Sequence, residues 1–407
     1  MECKRCELAT DLAAQGVLVA GIDLHHYAAE LSKPRDKCSY IAGEFEDYSH
    51  ELQKRFSPDR YHLPILIGVR KGASLVYAVA AQGSSGTFLG ILTLGFAPRW
   101  SAPLKLCQSY ELHYDVGTDR ITTLKPSEQL STPWIAVHSS SDKAFGVSDL
   151  KKFIAAVGTA KIEILSNNDS AFSQPMLWRD AIISSTQLLT QSDAVPKVVA
   201  DELRDLPIEE VPATSKQSNR MALFLTGDGG WASLDKEVSK RLAQQGIPVV
   251  ALNSLQYFWK AKTPEQAAAD VTRILRHYLS IWKKDEVLIV GYSFGADAAP
   301  FIFNRLPIDM QHKTRSLSLF GLAAAADFEV HVSGWVGLDH RGTPTVPEIE
   351  KIALPILCVY GEGEKDTACP LLKGRNQHSV KVGEGHHFGD QYSTLVERVL
   401  QMTDARN

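Results

Sequence analysis

The chain has 407 residues, 44% of them hydrophobic and 22% charged, with a formal net charge of −4. That length exceeds what one hydrophobic core usually organises, so two domains of about 200 residues each are expected. The charge balance and the lack of any Lys/Arg-rich run exclude the usual electrostatic footprint of a nucleic-acid binder, and no apolar stretch approaches the ~18 residues of a membrane-spanning helix.

At the N-terminus, Lys4 and Arg5 are followed by Glu7, Thr10 and Asp11 rather than by an apolar core, so this start does not read as a secretory signal. Of six cysteines, Cys3 and Cys6 form the one CxxC. Without a second pair of metal-ligand spacing they read as incidental, and no metal is expected.

The first half carries short apolar runs at Val17-Leu18-Val19-Ala20, Ile65-Leu66-Ile67 and Trp134-Ile135-Ala136-Val137. Residues 191–218, with Asp193, Pro196, Pro207, Glu209, Glu210 and Pro212, are polar and proline-punctuated and read as a linker. This places one domain at 1–190 and a second at 219–407.

In the second half, short apolar runs alternate with longer stretches of 3.6-residue periodicity, the rhythm of a parallel sheet with crossover helices. The expected strands are Met221–Leu225, Ile247–Leu252, Val287–Val290, Ser316–Phe320 and Pro355–Tyr360, nearly all apolar, as strands covered on both faces are. Leu234, Val238 and Leu242 mark one helix, with Gly246 as its C-cap. Thr263-Pro264-Glu265-Gln266 opens another with a cap residue and proline at the first helical position.

The two halves match each other. Ala14-Gln15-Gly16-Val17-Leu18-Val19-Ala20-Gly21-Ile22-Asp23 and Tyr27 align with Gln244 to Asn253 and Tyr257; Pro64 to Gly72 align with Val287 to Gly295; Thr132 to Val137 align with Leu354 to Val359. The fold class is therefore α/β, as two tandem α/β-hydrolase-like domains with helices on both faces of a parallel sheet. In the first copy Arg70 stands at the position of Ser293, Asp142 at that of Asp366, and the position of His386 falls near Ser170. A carboxylate without nucleophile or base does no acyl transfer, so this copy is expected to be degenerate. It also begins inside its first helix, so an internal or truncated start is expected.

Gly291-Tyr292-Ser293-Phe294-Gly295 is a G-x-S-x-G motif between an expected strand and an expected helix, the setting of a nucleophile elbow. The serine needs a base and the base an orienting carboxylate, arriving in the order Ser, acid, His. His386 follows Gly385 at a loop tip and is preferred over His387 as base. Asp366 is preferred over Glu362 and Glu364 as the acid, because it sits three residues before Cys369-Pro370, where the loop turns back. An oxyanion hole is expected from the Phe294 N–H and the Asp228 and Gly229 amides of the glycine-rich loop after the first strand. Cys358 and Cys369 bracket the acid loop; a disulfide and two separate thiols are equally compatible with the spacing.

These segments, together with Thr263–Asp270 and Asp327 to Trp335, resemble the bacterial virulence protein family VirJ, and the duplicated layout resembles its longer relative AcvB. The resemblance implies a periplasmic serine esterase that removes lysine or alanine from aminoacylated phosphatidylglycerol at a membrane surface, with no cofactor. Asp297, Asp327, Glu329 and Asp228 are carboxylates able to pair with the substrate ammonium; His387 and Trp231 are further substrate-binding candidates. Two other readings stand beside it: a carboxylesterase or thioesterase for a soluble ester, which the same triad would serve, and a binding partner of type IV secretion proteins, an association that VirJ relatives have.

Overall fold

The computed structural model describes residues 6–193, 201–331 and 342–404, apart from 32, 34–36, 102–103, 110, 129, 159, 167–168, 170–171 and 216–217. The chain divides into two compact units, one of residues 1–57 and 62–197, the other of residues 58–61 and 198–407. Among the described residues no helix is long and apolar enough to cross a membrane.

Unit 1 opens with three helices, α1 (Cys6–Ala14), α2 (Leu24–Leu31) and α3 (Ile41–Phe56). Then come β1 (Ile65–Val69), α4 (Lys71–Gln82), β2 (Gly90–Leu94), the short strands β3 (Arg99–Trp100), β4 (Tyr114–Val116) and β5 (Thr122–Leu124), then β6 (Trp134–Ser139), α5 (Val147–Val157), β7 (Lys161–Leu165) and α6 (Arg179–Asp193). Strands β1-β2-β6-β7 form one parallel sheet in that order. Its apolar side chains bury against α4, whose central run from Ala73 to Ala81 is at most 5% exposed. A disulfide joins Cys38 to Cys107.

Unit 2 begins with β8 (Ile208–Val211) and β9 (Arg220–Leu225), then α7 (Ser233–Gln244), β10 (Val249–Leu252), α8 (Ser254–Tyr257), α9 (Pro264–Ile281), β11 (Glu286–Tyr292) and α10 (Phe294–Asn304). It continues through α11 (Ile308–Lys313), β12 (Thr314–Phe320), β13 (Ala325–Ala326), β14 (Thr343–Pro344), α12 (Val346–Ile349), β15 (Ile356–Glu362), β16 (Gln377–Glu384) and α13 (Tyr392–Asp404). Seven strands make one sheet in the order β16-β15-β12-β11-β9-β10-β8. All neighbours are parallel except β8, which caps the edge antiparallel to β10. The stretch read as a linker therefore supplies an edge strand: Ile208, buried within polar neighbours, pairs with Leu252. Thr263 caps α9 with Pro264 at its first turn, as expected, and with Gln266 it also forms a capping box.

The strand registers repeat between units. Val69 pairs with Leu94 and Leu94 with Val137, as Tyr292 pairs with Phe320 and Phe320 with Val359. Unit 1 thus reproduces β11-β12-β15-β16, helix α4 standing where α10 stands. A second disulfide, Cys358–Cys369, ties the middle of β15 to the turn after the acid loop.

Candidate active site

Ser293 lies between β11 and α10 with φ +51° and ψ −121°, a backbone conformation that a side chain adopts only under strain. The close approach around it explains its flanking glycines. A Cβ on Gly295 would stand 2.2 Å from the Leu225 carbonyl oxygen, and one on Gly291 would stand 2.5 Å from that of Gly295. Neither position has room for any side chain. The serine N–H donates to the Phe320 carbonyl at 2.8 Å, which fixes the elbow to the end of β12.

The histidine expected as base comes to the same strand end. His386 packs its ring against Tyr292, centroids 5.3 Å apart, and a Cβ on Gly321, the residue after β12, would lie 2.5 Å from its Cε1. His386 Nδ1 is 2.6 Å from Glu364 Oε1, which leaves Nε2 as the ring nitrogen able to take up a proton. No hydrogen bond joins Ser293 Oγ to His386 among those of the described residues; catalytic contacts of this kind tighten when substrate binds.

The carboxylate that meets the histidine is therefore Glu364, not Asp366, which the sequence favoured. After β15, Gly363 turns the chain with φ +79°. Glu364 then folds inward, its Oε2 accepting the Gly361 N–H at 2.9 Å while Oε1 meets the histidine. Asp366 lies exposed two residues further on, just before Thr367 bridges to Ala323. Burial raises the Glu364 pKa, but the His386 hydrogen bond and the Gly361 N–H outweigh it, so the carboxyl sits below its ordinary range. The duplication contained the signal: the offset that carries Trp134 to Ile356 carries Asp142 to Glu364.

The Phe294 N–H heads α10, where a helix leaves its first amides unpaired, and the Phe294 ring packs on Phe258, centroids 5.0 Å apart. In the glycine-rich loop, Gly230 N–H closes a turn onto the Gly227 carbonyl at 3.0 Å. Burial raises the Asp228 pKa, opposed by the backbone amides of Asp228 and Gly229 and by the charges of His386 and His387.

Asp297 lies one helical turn after Ser293 and accepts the Ala323 N–H at 2.7 Å. Its pKa stands well above the ordinary carboxylate range, first through burial and then through the charges of Asp228 and Glu364. His387 accepts or donates at Nδ1 to the Tyr292 hydroxyl, 2.9 Å away, a partner the sequence did not indicate. Burial, followed by the charge of His386, lowers its pKa. Among the described residues, no hydrogen bond or ion pair joins the other candidates to the serine. Asp327 is exposed and bonds within its own turn to the Phe328 N–H at 2.7 Å, with His331 Nε2 at 3.0 Å. Glu329 is half-buried in the same turn, Trp231 is half-buried against the core on the α7 face, and Trp335 lies outside the described residues.

In unit 1 the matching place holds different chemistry. Arg70 occupies the elbow at φ +56° and ψ −113°, its N–H donating to Leu94 at 2.8 Å as that of Ser293 does to Phe320. Its guanidinium pairs with Asp142 at 2.6 Å. Ser170 lies outside the described residues; Phe172 fills the space of the base. A Cβ on Gly95, the counterpart of Gly321, would stand 2.2 Å from the Phe172 ring, and that ring lies 6.0 Å from the Arg70 guanidinium.

Residues 219–407, most of unit 2, match the model of a family described as bacterial virulence protein (VirJ). No curated protein matches the chain in sequence. Similar solved structures include a lipase-esterase related protein from Clostridium acetobutylicum, 14% identical, covering 48% of this chain and 99% of that one with a TM-score of 0.37. Another is Est1E from Butyrivibrio proteoclasticus with ferulic acid bound, 11% identical, covering 49% and 96% with a TM-score of 0.36. A third is an α/β serine hydrolase without lid from Xanthomonas campestris, 13% identical, covering 49% and 88% with a TM-score of 0.32.

Proposed function

We propose that unit 2 is a serine esterase that hydrolyses the aminoacyl ester of lysyl- or alanyl-phosphatidylglycerol through an acyl-enzyme on Ser293. The observation that carries the esterase reading is the strained elbow serine beside a histidine whose Nδ1 is held by Glu364 at 2.6 Å. Ser293 Oγ attacks the aminoacyl carbonyl while His386 Nε2 takes its proton. The tetrahedral oxyanion is stabilised by the Phe294 N–H and by the amides of residues 228 and 229. The ester bond to the glycerol oxygen then breaks, His386 returns the proton to that oxygen, and phosphatidylglycerol leaves. Water, deprotonated by the same base, attacks the acyl-enzyme and releases the amino acid.

The aminoacyl group is supported by the charge around the serine. Asp228 stands in the loop after β9 and Asp297 one turn along α10 from the serine; burial first of all raises both pKa values, and an ammonium placed beside them would draw them back toward the charged form. The lipid rests on the family resemblance. A periplasmic site of action is in keeping with two disulfides, since such bonds persist in oxidising compartments, and an association with type IV secretion proteins rests on the family alone.

The test is to incubate the protein with vesicles of lysyl- and of alanyl-phosphatidylglycerol and resolve the lipids by thin-layer chromatography. Release of phosphatidylglycerol by the wild type, slowed about 10⁴-fold or more in Ser293→Ala, is expected. A wild type that cleaves p-nitrophenyl butyrate but neither lipid would sink the lipid assignment and leave an esterase for another substrate. Asp297→Asn is expected to slow aminoacyl-lipid hydrolysis more than p-nitrophenyl ester hydrolysis; equal slowing contradicts the ammonium role.

A further inference from the structure

His386 is presented by a tight turn. The Phe388 N–H closes it onto the Gly385 carbonyl at 3.2 Å, so His386 and His387 are its two central residues. Both ends of the turn are left-handed, Gly385 at φ +61° and Phe388 at φ +59°. For a bulky side chain that conformation costs free energy and persists only where neighbours hold it. Two of the holds act at the ends. The Gly385 N–H donates at 2.9 Å to the carbonyl of Glu362, the last residue of β15. The Phe388 ring is wholly buried, its centroid 6.1 Å from that of Phe320 and 6.3 Å from that of Tyr292. Neither of these fixes the tip.

At the tip, His386 meets Glu364, and His387 Nδ1 lies 2.9 Å from the Tyr292 hydroxyl. Tyr292 is the last residue of β11 and immediately precedes Ser293. It is 6% exposed, and among the described residues His387 is the hydrogen-bond partner of its hydroxyl; a hydroxyl so placed needs one. The ring is held as well. Its centroid is 5.3 Å from that of His386, and a Cβ on Gly227 would come within 3.2 Å of its Cδ1. The residue before the nucleophile thus holds the residue after the base, through a tyrosine that cannot shift without disturbing the elbow.

Resting on the esterase reading of unit 2, we propose that Tyr292 and His387 are a positioning pair: their hydrogen bond sets the turn that carries His386 at the place from which its Nε2 takes the Ser293 proton. His387 itself neither takes that proton nor touches the substrate. A misplacement of a catalytic group by about 1 Å costs about 10²-fold in rate, so a single bond at the tip of a strained turn is enough to govern the chemical step.

The test follows two quantities in the full chain, the rate at which a fluorophosphonate labels Ser293 and the kcat and KM for p-nitrophenyl butyrate. Tyr292→Phe keeps the ring and drops the hydroxyl. It is expected to lower kcat and the labelling rate about 10- to 100-fold with KM within about twofold of wild type, and His387→Ala is expected to do the same. The double variant is expected to be no slower than the slower single one, since both remove one bond. In His387→Asn the side-chain amide can stand where Nδ1 stood but offers nothing at the place of Nε2, so it is expected to recover about tenfold over His387→Ala. Losses that multiply in the double variant, a raised KM at unchanged kcat, or a His387→Asn as slow as His387→Ala would each overturn the proposal. A wild type whose Ser293 takes no label overturns the esterase reading itself, whereas labelling at the wild-type rate in Tyr292→Phe overturns the positioning role alone.

Discussion

His386 needs a carboxylate at Nδ1, and Glu364 supplies it from a side chain that is 9% exposed and anchored by the Gly361 N–H. Glu364→Ala is expected to lower kcat/KM by about 10⁴-fold, since the imidazole loses both tautomer and orientation. Asp366→Ala, an exposed loop change, is expected to stay within about twofold of wild type; the reverse order of effects in an ester-hydrolysis assay would restore Asp366 as the acid. Gly321→Ala tests the same geometry from the opposite side. Its φ is +67° and its Cβ would lie 2.5 Å from the His386 ring, so the histidine must move and activity fall while the fold, followed by circular dichroism, stays. The nucleophile motif could be read from spacing alone because an elbow needs glycines at fixed offsets. The acid could not, because a loop of three carboxylates is sorted by where Gly363 turns the chain, and that is a property of the folded backbone.

At the scale of elements, the loop that carries Glu364 is closed by Cys358–Cys369, both cysteines wholly buried. Removing the link with Cys358→Ala and Cys369→Ala is expected to cost about 3 kcal/mol in denaturant unfolding, and to reduce activity beyond that, because the acid loses its tether. A double variant as stable as wild type would show that the loop is held by packing alone. Helix α7 carries a titrating element. Asp235 is buried at its first turn, accepts the Ala232 N–H at 3.1 Å, and has its pKa pushed up to about 7, mainly by burial. Because the folded value lies above the unfolded one, the folded state holds a proton that the unfolded chain has lost, and stability falls as pH rises from about 4 to about 7. Asp235→Asn should therefore gain Tm over wild type progressively across that window and hold a constant margin above it; a margin independent of pH would show that Asp235 is ionised throughout. The inner strands of unit 2, β9, β10, β11, β12 and β15, were legible as buried apolar runs. Strand β8 was not, because Ile208-Glu209-Glu210-Val211 looks polar: it is an edge strand, and its pairing with β10 is set by tertiary contact.

At the scale of the whole molecule, one design occurs twice and the chemistry once. The duplication was legible because apolar strands and their caps recur in order. The fate of the first site was legible only in part: Arg70 is plain in the sequence, whereas Phe172 in the place of the base depends on how the chain returns after β7. Restoring the serine alone should therefore restore nothing. Arg70→Ser in a Ser293→Ala background is expected to remain as inactive as Ser293→Ala, because Phe172 cannot take a proton; detectable ester hydrolysis would mean that unit 1 holds another base. The most direct test of the central claim is covalent: label the wild-type protein with a fluorophosphonate and map the adduct by peptide mass spectrometry. The account requires one adduct per chain, on Ser293, formed far more slowly in Glu364→Gln and at the wild-type rate in Asp366→Asn. An adduct on any other residue, or labelling of Ser293 that ignores Glu364, would contradict it.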